Sequence, residues 1–228
     1  MTVALQLRDV TVAYPGASGP QRVLDGFTLA LEAGELGCLL GPSGCGKTTA
    51  LRAIAGFEPV LAGRIELGES LLSAPGVHLP PERRRVGMVF QDYALFPHLN
   101  ARQNVAFGLR ALPSAQREPR ALAMLELVGL KDLAGRYPHE LSGGQQQRVA
   151  VARALAPAPA LLLMDEPFSN LDPATRERLG RDVRAILREA GQTALMVTHN
   201  EAEADAMADR IGRMAGGRLQ SWLAPVGI

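Results

Sequence analysis

The sequence predicts an α/β fold with an N-terminal antiparallel β-subdomain, a parallel α/β core and an α-helical subdomain inserted into that core. Three patterns carry this expectation. The first ninety residues alternate in short apolar runs. An apolar strand at 35–40 passes directly into a glycine-rich turn and a helix. Two more apolar strands return after a helical stretch over 91–157.

The elements follow in order. Val3, Leu5 and Leu7, then Val10 and Val12, then Phe27, Leu29 and Leu31 alternate with polar residues, and Pro15-Gly16, Ser18-Gly19-Pro20 and Ala33-Gly34 punctuate them. Such alternation marks half-buried antiparallel strands. Glu35 to Leu40 is mostly apolar, as befits the entry to an α/β core. Next come a strand at Arg64 to Leu67, a loop carrying Pro75, Pro80 and Pro81, the basic run Arg83-Arg84-Arg85, and a strand from Val86 to Phe90. Asn100 is placed to cap a helix through Leu109. A second helix, through Leu122, Leu125 and Val128, ends at Gly129, and Ser142 opens a third that Pro157 stops. Ala160 to Met164 and Thr193 to Thr198 are expected as returning core strands, the first a continuous apolar run typical of a central parallel strand. Between them Asp172 as cap, Pro173 in the first turn and Gly191 at the end bracket a helix whose apolar face is Leu179, Val183, Ile186 and Leu187. Arg210 to Trp222 reads as a hairpin around Gly216-Gly217.

Composition bounds the function. A chain of 228 residues suits one large domain with ample core. Twenty-four basic against 23 acidic residues leave a net charge of +1, which removes the electrostatic argument for a nucleic-acid partner or a polybasic membrane anchor. The apolar stretch from Ala154 to Met164 is too short to span a bilayer and is broken by Pro157 and Pro159. Residues Met1 to Leu7 lack the pattern of a secretory signal, and Cys38 and Cys45 are too few for a disulfide framework, so a cytosolic protein with reduced thiols is expected. All but two of the basic residues, Lys47 and Lys131, are arginine. Against that background Lys47 marks a place where a compact ammonium fits and a planar guanidinium does not.

Gly41-Pro42-Ser43-Gly44-Cys45-Gly46-Lys47-Thr48 matches the phosphate-loop pattern and lies between an apolar strand and a helix, as that motif requires. Its glycines let successive amides point at phosphate oxygens, Lys47 reaches the β and γ phosphates, and Thr48 offers a hydroxyl to Mg²⁺. The core is therefore expected to be that of a P-loop NTPase. Leu161-Leu162-Leu163-Met164-Asp165-Glu166 delivers two carboxylates at a strand tip, Asp165 to hold Mg²⁺ and Glu166 to act as general base toward water. Leu141-Ser142-Gly143-Gly144-Gln145 opens a helix and supplies a second anion-binding end.

With that segment the chain resembles an ATP-binding cassette (ABC) ATPase, the nucleotide-binding subunit of an ABC transporter, over its whole length. The resemblance implies ATP and Mg²⁺ as ligands and one domain over 1–228. Within it, 1–90 and 158–228 would form the β-subdomain and RecA-like core, and 91–157 the helical subdomain. It makes Tyr14 the platform for adenine, extends the phosphate loop to Thr49, and assigns Gln91 to sensing Mg²⁺ and the attacking water. Ser142, Gly143, Gly144, Gln145 and Asp172 would contact nucleotide, and His199 the γ-phosphate. Asn200, Asn170, Gly37 and Met164 depart from the family's commoner residues without removing a catalytic group.

The run from Leu79 to Leu99 resembles importer ATPases for sugars, polyamines, anions and ferric iron, and Phe168 to Asp172 inclines the cargo toward ferric iron. Phosphonate, polyamine, sulfate, sugar or thiamine import is the alternative, followed by a soluble ABC ATPase with no transport role. A C-terminal regulatory domain is expected to be absent. Implied partners are a second copy of the chain, integral-membrane permease subunits and, indirectly, a periplasmic solute-binding protein. The site of action is the inner face of the cell membrane, with the chain peripheral to it. Tyr93, Phe96 and Phe107 read equally as the groove for the membrane subunit or as core of the helical subdomain.

Overall fold

The computed structural model describes residues 3–16 and 19–224; Met1 and Ser18, named above, lie outside them. β1 (Val3–Tyr14) and β2 (Gln21–Glu32) pair antiparallel over their length. Strict alternation would turn Val10 away from the face that Leu5 and Leu7 cover. A register shift between Leu7 and Val10, with Asp9 at φ 51, restores it, and all three are fully buried. The two short runs expected there are therefore one bulged strand. β4 (Ala62–Leu67), β5 (Ser70–Ala74) and β6 (Val77–His78) complete a sheet of order β2-β1-β4-β5-β6. The loop expected at Pro75 is instead a hairpin, because Gly76 at φ 77 lets Ala74 and Val77 pair.

The second sheet holds β3 (Leu36–Leu40), β7 (Val86–Val89), β8 (Leu161–Asp165), β9 (Ala194–Thr198), β10 (Arg210–Ala215) and β11 (Arg218–Leu223) in the order β11-β10-β3-β9-β8-β7. All neighbours are parallel except β10 and β11, whose turn uses Gly216 at φ 55 and Gly217 at φ 74. Strand parity divides the core. Leu161, Leu163, Leu195 and Val197 face the antiparallel sheet, with helix α1 (Lys47–Ala55) between, while Leu162, Met164, Ala194 and Met196 face the other helices.

Those helices are α2 (Ala101–Phe107), α3 (Ser114–Leu127), α4 (Gly143–Leu155), α5 (Pro173–Glu189) and α6 (Glu201–Met207). Asn100 caps α2 through a reciprocal pair with Gln103, and Asp172 caps α5 by accepting from the Thr175 amide. The seven residues of α6 were not expected; Asn200 caps them, so the asparagine that departs from the family's aspartate has a local job. No helix among the described residues is long and apolar enough to cross a membrane.

Gly37 also gains a reason. A Cβ there would lie 2.7 Å from the Trp222 ring and 2.9 Å from Leu31 Cδ1, so its absence seats Trp222 of β11 on β3. Gly37→Ala is expected to lower stability by about 1–3 kcal/mol, the usual cost of overpacking. Urea unfolding checks this, and an unchanged midpoint would contradict it.

Candidate active site

The loop after β3, the tips of β8 and β9, and the segment after β7 meet at the C-terminal edge of the parallel sheet, where such folds bind ligands. The phosphate loop, Gly41 to Thr49, is held from below. Gly217 N donates to Cys45 O at 3.1 Å, and a Cβ on Gly41 would lie 2.5 Å from Met214 O. Gly44 at φ 79 and Gly46 at φ 107 adopt left-handed backbone, which places bare amides on the concave side. Gly46 caps α1 with no side-chain acceptor, so nothing from a capping side chain competes for the first-turn amides of Lys47, Thr48 and Thr49. Pro42, Ser43 and Gly44 are exposed, whereas Lys47 is buried and its Nζ donates to Gly41 O at 2.7 Å and Pro42 O at 3.0 Å.

Thr48 Oγ1 donates to Asp165 Oδ1 at 3.1 Å, joining residues 117 positions apart. Burial is the main cause holding the Asp165 carboxyl above its ordinary range; the Thr48 hydrogen bond opposes it, and the neighbouring Glu166 charge adds to it. A bound dication would reverse that balance. No cluster of three or more His, Cys, Asp or Glu residues suited to a metal occurs among the described residues. A threonine hydroxyl beside one carboxylate does fit Mg²⁺, which completes its shell with water and phosphate oxygens.

Glu166 has φ 43, a costly conformation for a non-glycine residue, and is pinned there. Its amide donates to Val197 O at 3.0 Å, and its carbonyl accepts from Ser169 N at 3.2 Å and Ser169 Oγ at 3.0 Å. The side chain then lies with Oε2 3.2 Å from His199 Nδ1. Four of the expected site residues are thus brought into contact, Thr48 with Asp165 and Glu166 with His199.

Ser142 to Gln145 lie elsewhere. They line a groove of about 540 Å³ together with Leu171, Asp172 and Thr175, and no residue of the phosphate loop contributes to it. Ser142 Oγ caps its own helix by accepting from Gln145 N at 3.4 Å, which leaves the amides of Gly143 and Gly144 as the first-turn donors. The Asp172 carboxylate is engaged at the N-terminus of α5, and its hydrogen bond from the Thr175 amide holds it below the usual range. Tyr14, at the end of β1, is half-buried beside Thr49 and Glu58, with burial raising its phenol. The Gln91 side chain is exposed just past β7, and its carbonyl accepts from Asn170 Nδ2 at 3.0 Å. Tyr93 belongs to the core, whereas Phe107 stays partly exposed, its ring tilted by 42° against Phe96 with centroids 4.2 Å apart and covered by the Arg110 guanidinium at 4.0 Å.

Sequence reasoning missed the side chains that brace this edge. Arg153 donates to the carbonyls of Tyr93 and Ala94 at 2.9 and 2.6 Å, and buried Asn104 bonds to both backbone atoms of Phe96. Both bind backbone from a helix face, and no motif announces that.

Residues 24–169 match the sequence profile of the ABC transporter family. The spermidine/putrescine import ATP-binding protein PotA of Pseudomonas fluorescens (strain Pf0-1) is 46% identical over 228 residues, 99% of this chain and 62% of that protein. The putative 2-aminoethylphosphonate import ATP-binding protein PhnT of Salmonella typhimurium (strain LT2) is 48% identical over 225 residues, 96% of this chain and 58% of that protein. The chain therefore spans about six-tenths of the length of these curated relatives. The dimeric ATP-binding cassette MJ0796, solved in a post-hydrolysis state with ADP and Pi, superposes with a TM-score of 0.81 at 32% identity, covering 98% of this chain and 100% of that one. With its phosphate loop, carboxylate-tipped strand and Ser142 helix end in a fold shared with solved cassettes, the chain belongs to the ABC transporter family, as an ATP-binding cassette.

Proposed function

We propose that this chain is the ATP-hydrolysing subunit of an importer, docked on the inner face of the cell membrane against separate permease subunits. The observation that carries the reading is the Thr48–Asp165 contact, which sets a metal-suited oxygen pair at the mouth of the phosphate loop one residue before Glu166. The triphosphate would lie along the amides of Gly41 to Thr49, with Lys47 leaving the loop carbonyls to meet the β and γ phosphates. Thr48, Asp165 and Gln91 would hold Mg²⁺, which supplies charge neutralisation at the phosphate oxygens. Glu166 takes the proton from the attacking water as its oxygen bonds to the γ-phosphorus and the bond to the ADP oxygen breaks. His199, 3.2 Å from Glu166, orients that carboxylate and faces the same phosphate. Tyr14 stacks on adenine. Residues 91–157 form the helical subdomain, and the Phe96–Phe107 surface meets the membrane subunit. Ser142 to Gln145 and Asp172 serve the nucleotide of a second copy, because their groove is separate from the phosphate loop of their own chain. A periplasmic solute-binding protein would deliver the cargo.

For cargo, the similarity to PotA and PhnT favours a polyamine or an aminoethylphosphonate. The ferric-iron expectation has no support in these relatives and gives way to them. Phosphate release by the wild type with ATP and Mg²⁺, membrane partners included, tests the reading; no turnover under those conditions would overturn it. Lys47→Arg is expected to weaken ATP binding about 10–100-fold, the loss of one or two charge-assisted hydrogen bonds. A titration showing wild-type affinity would defeat the geometric argument for lysine.

A further inference from the structure

Two buried charges, Glu203 and Arg176, lie outside the residues assigned to nucleotide or metal. Glu203 on α6 is 6% exposed, and Arg176 lies one turn into α5 with its side chain about four-fifths buried. Glu203 Oε2 accepts from Thr198 Oγ1 at 2.5 Å, and Glu203 Oε1 lies 3.2 Å from Arg176 Nε. Arg176 also donates to three backbone carbonyls of the loop after Glu166. Its Nε reaches Phe168 O at 3.3 Å, and its Nη2 reaches Ser169 O at 3.4 Å and Leu171 O at 3.0 Å.

These contacts close a ring. Glu166 touches His199; His199 follows Thr198; Thr198 is held by Glu203; Glu203 pairs with Arg176; Arg176 grips the 168–171 loop; and Ser169 of that loop bonds back to the Glu166 carbonyl. The Thr198 hydroxyl also accepts from Asn200 N at 3.1 Å, which shuts the turn around His199. A buried ion pair adds little net stability over apolar side chains of similar volume, so stability alone does not account for this one. Burial raises the Glu203 carboxyl, and the Thr198 hydrogen bond and then the Arg176 charge pull against that rise.

We propose that Arg176 and Glu203 are positioning residues that lock the loop 168–171 to the turn carrying His199, and so hold Glu166 and His199 in register. Neither touches nucleotide in this account. The proposal rests on the ATP-hydrolysis reading. Its consequence is that the loop bordering the Ser142 groove cannot shift without moving the Glu166–His199 contact.

Steady-state kinetics, ATP affinity and unfolding midpoint, measured for four variants of this chain with Glu166→Gln as the inactive control, test it. Glu203→Gln keeps an acceptor for Thr198 but loses the charge facing Arg176. It should lower kcat about tenfold or more while ATP affinity stays within about threefold, since small misplacement of catalytic groups costs rate more than binding. Arg176→Lys keeps the charge but cannot span three carbonyls, so it should hold the midpoint near wild type yet remain slow. Arg176→Met should be slow, and combining it with Glu203→Gln should add little further loss, because the two act as a unit. If Arg176→Met does not fold, Glu203→Gln and Arg176→Lys decide alone. Wild-type kcat in folded Glu203→Gln, rate losses that multiply in the double variant, or rate losses that merely track the midpoint would overturn the proposal. An active wild type with an inactive Glu166→Gln and a normal Glu203→Gln would remove only the positioning role. A wild type that neither binds nor hydrolyses ATP would remove the reading beneath it.

Discussion

Glu166→Gln is expected to lower ATP turnover by about 10²–10⁴-fold, the range typical for removing a positioned general base. The substitution leaves the shape of the site almost intact. Glutamine can keep the backbone bonds to Val197 and Ser169, which do not involve the side chain, and its amide can still meet His199. What it loses is the ability to take the proton from water. ATP affinity should therefore stay within about a factor of three, because the proposed phosphate contacts lie in the Lys47 loop. Phosphate release and a binding titration on one preparation separate the two effects. A variant that binds ATP and turns it over at more than a tenth of the wild-type rate would take the role of base away from Glu166.

Arg84→Met is expected to cost about 3–5 kcal/mol of stability, the scale for leaving several buried polar groups without partners. Arg84 is 1% exposed, and among the described residues no carboxylate pairs with it. Its five N–H groups are nonetheless all placed. Nε donates to Leu79 O at 2.6 Å, and Nη1 to Ala53 O at 2.7 Å and Ile54 O at 3.0 Å. Nη2 donates to Ser73 Oγ at 2.7 Å and lies 3.4 Å from His78 Nδ1. The counter-charge is thus the negative end of α1, the helix whose other end opens on the phosphate loop. Burial without an anion depresses the guanidinium to about 10, and it stays charged at neutral pH. A Cβ on Gly56 would lie 2.5 Å from Arg84 Nε, so glycine makes room for it. Thermal unfolding of Arg84→Met and Arg84→Lys checks this; lysine offers three donors for five positions and should recover only part of the loss. A change below about 1 kcal/mol in either variant would contradict the account.

Arg84 also shows where reading the sequence stopped. Arg83-Arg84-Arg85 looks like a solvated basic run, yet the middle residue is buried between α1 and β5 while its neighbours are exposed. Its acceptors Ala53 and Ile54 lie 31 and 30 positions away, beyond any local pattern. The same holds for Arg153, whose partners are about 60 positions distant. Legible features were those whose cause is local: the glycines of the phosphate loop, the carboxylates ending an apolar strand, and the caps Asn100, Ser142 and Asp172, each acting within three residues. The hairpin at Pro75-Gly76 was lost because Pro80 and Pro81 close by suggested a loop, and α6 because its seven residues make fewer than two turns, too short for a repeating apolar stripe. The proposed cargo was least legible, since no residue of an importer's ATPase need touch the solute.

In the proposed arrangement two copies share each ATP, one through the Lys47 loop and the other through the Ser142 helix end. Light scattering on Glu166→Gln eluting from a size-exclusion column, with and without ATP, measures it most directly. The account predicts twice the 24.3 kDa monomer mass with ATP only, and a return to monomer when Ser142→Arg is added. A Glu166→Gln protein that binds ATP yet keeps the monomer mass, even with the proposed membrane partners present, would contradict it.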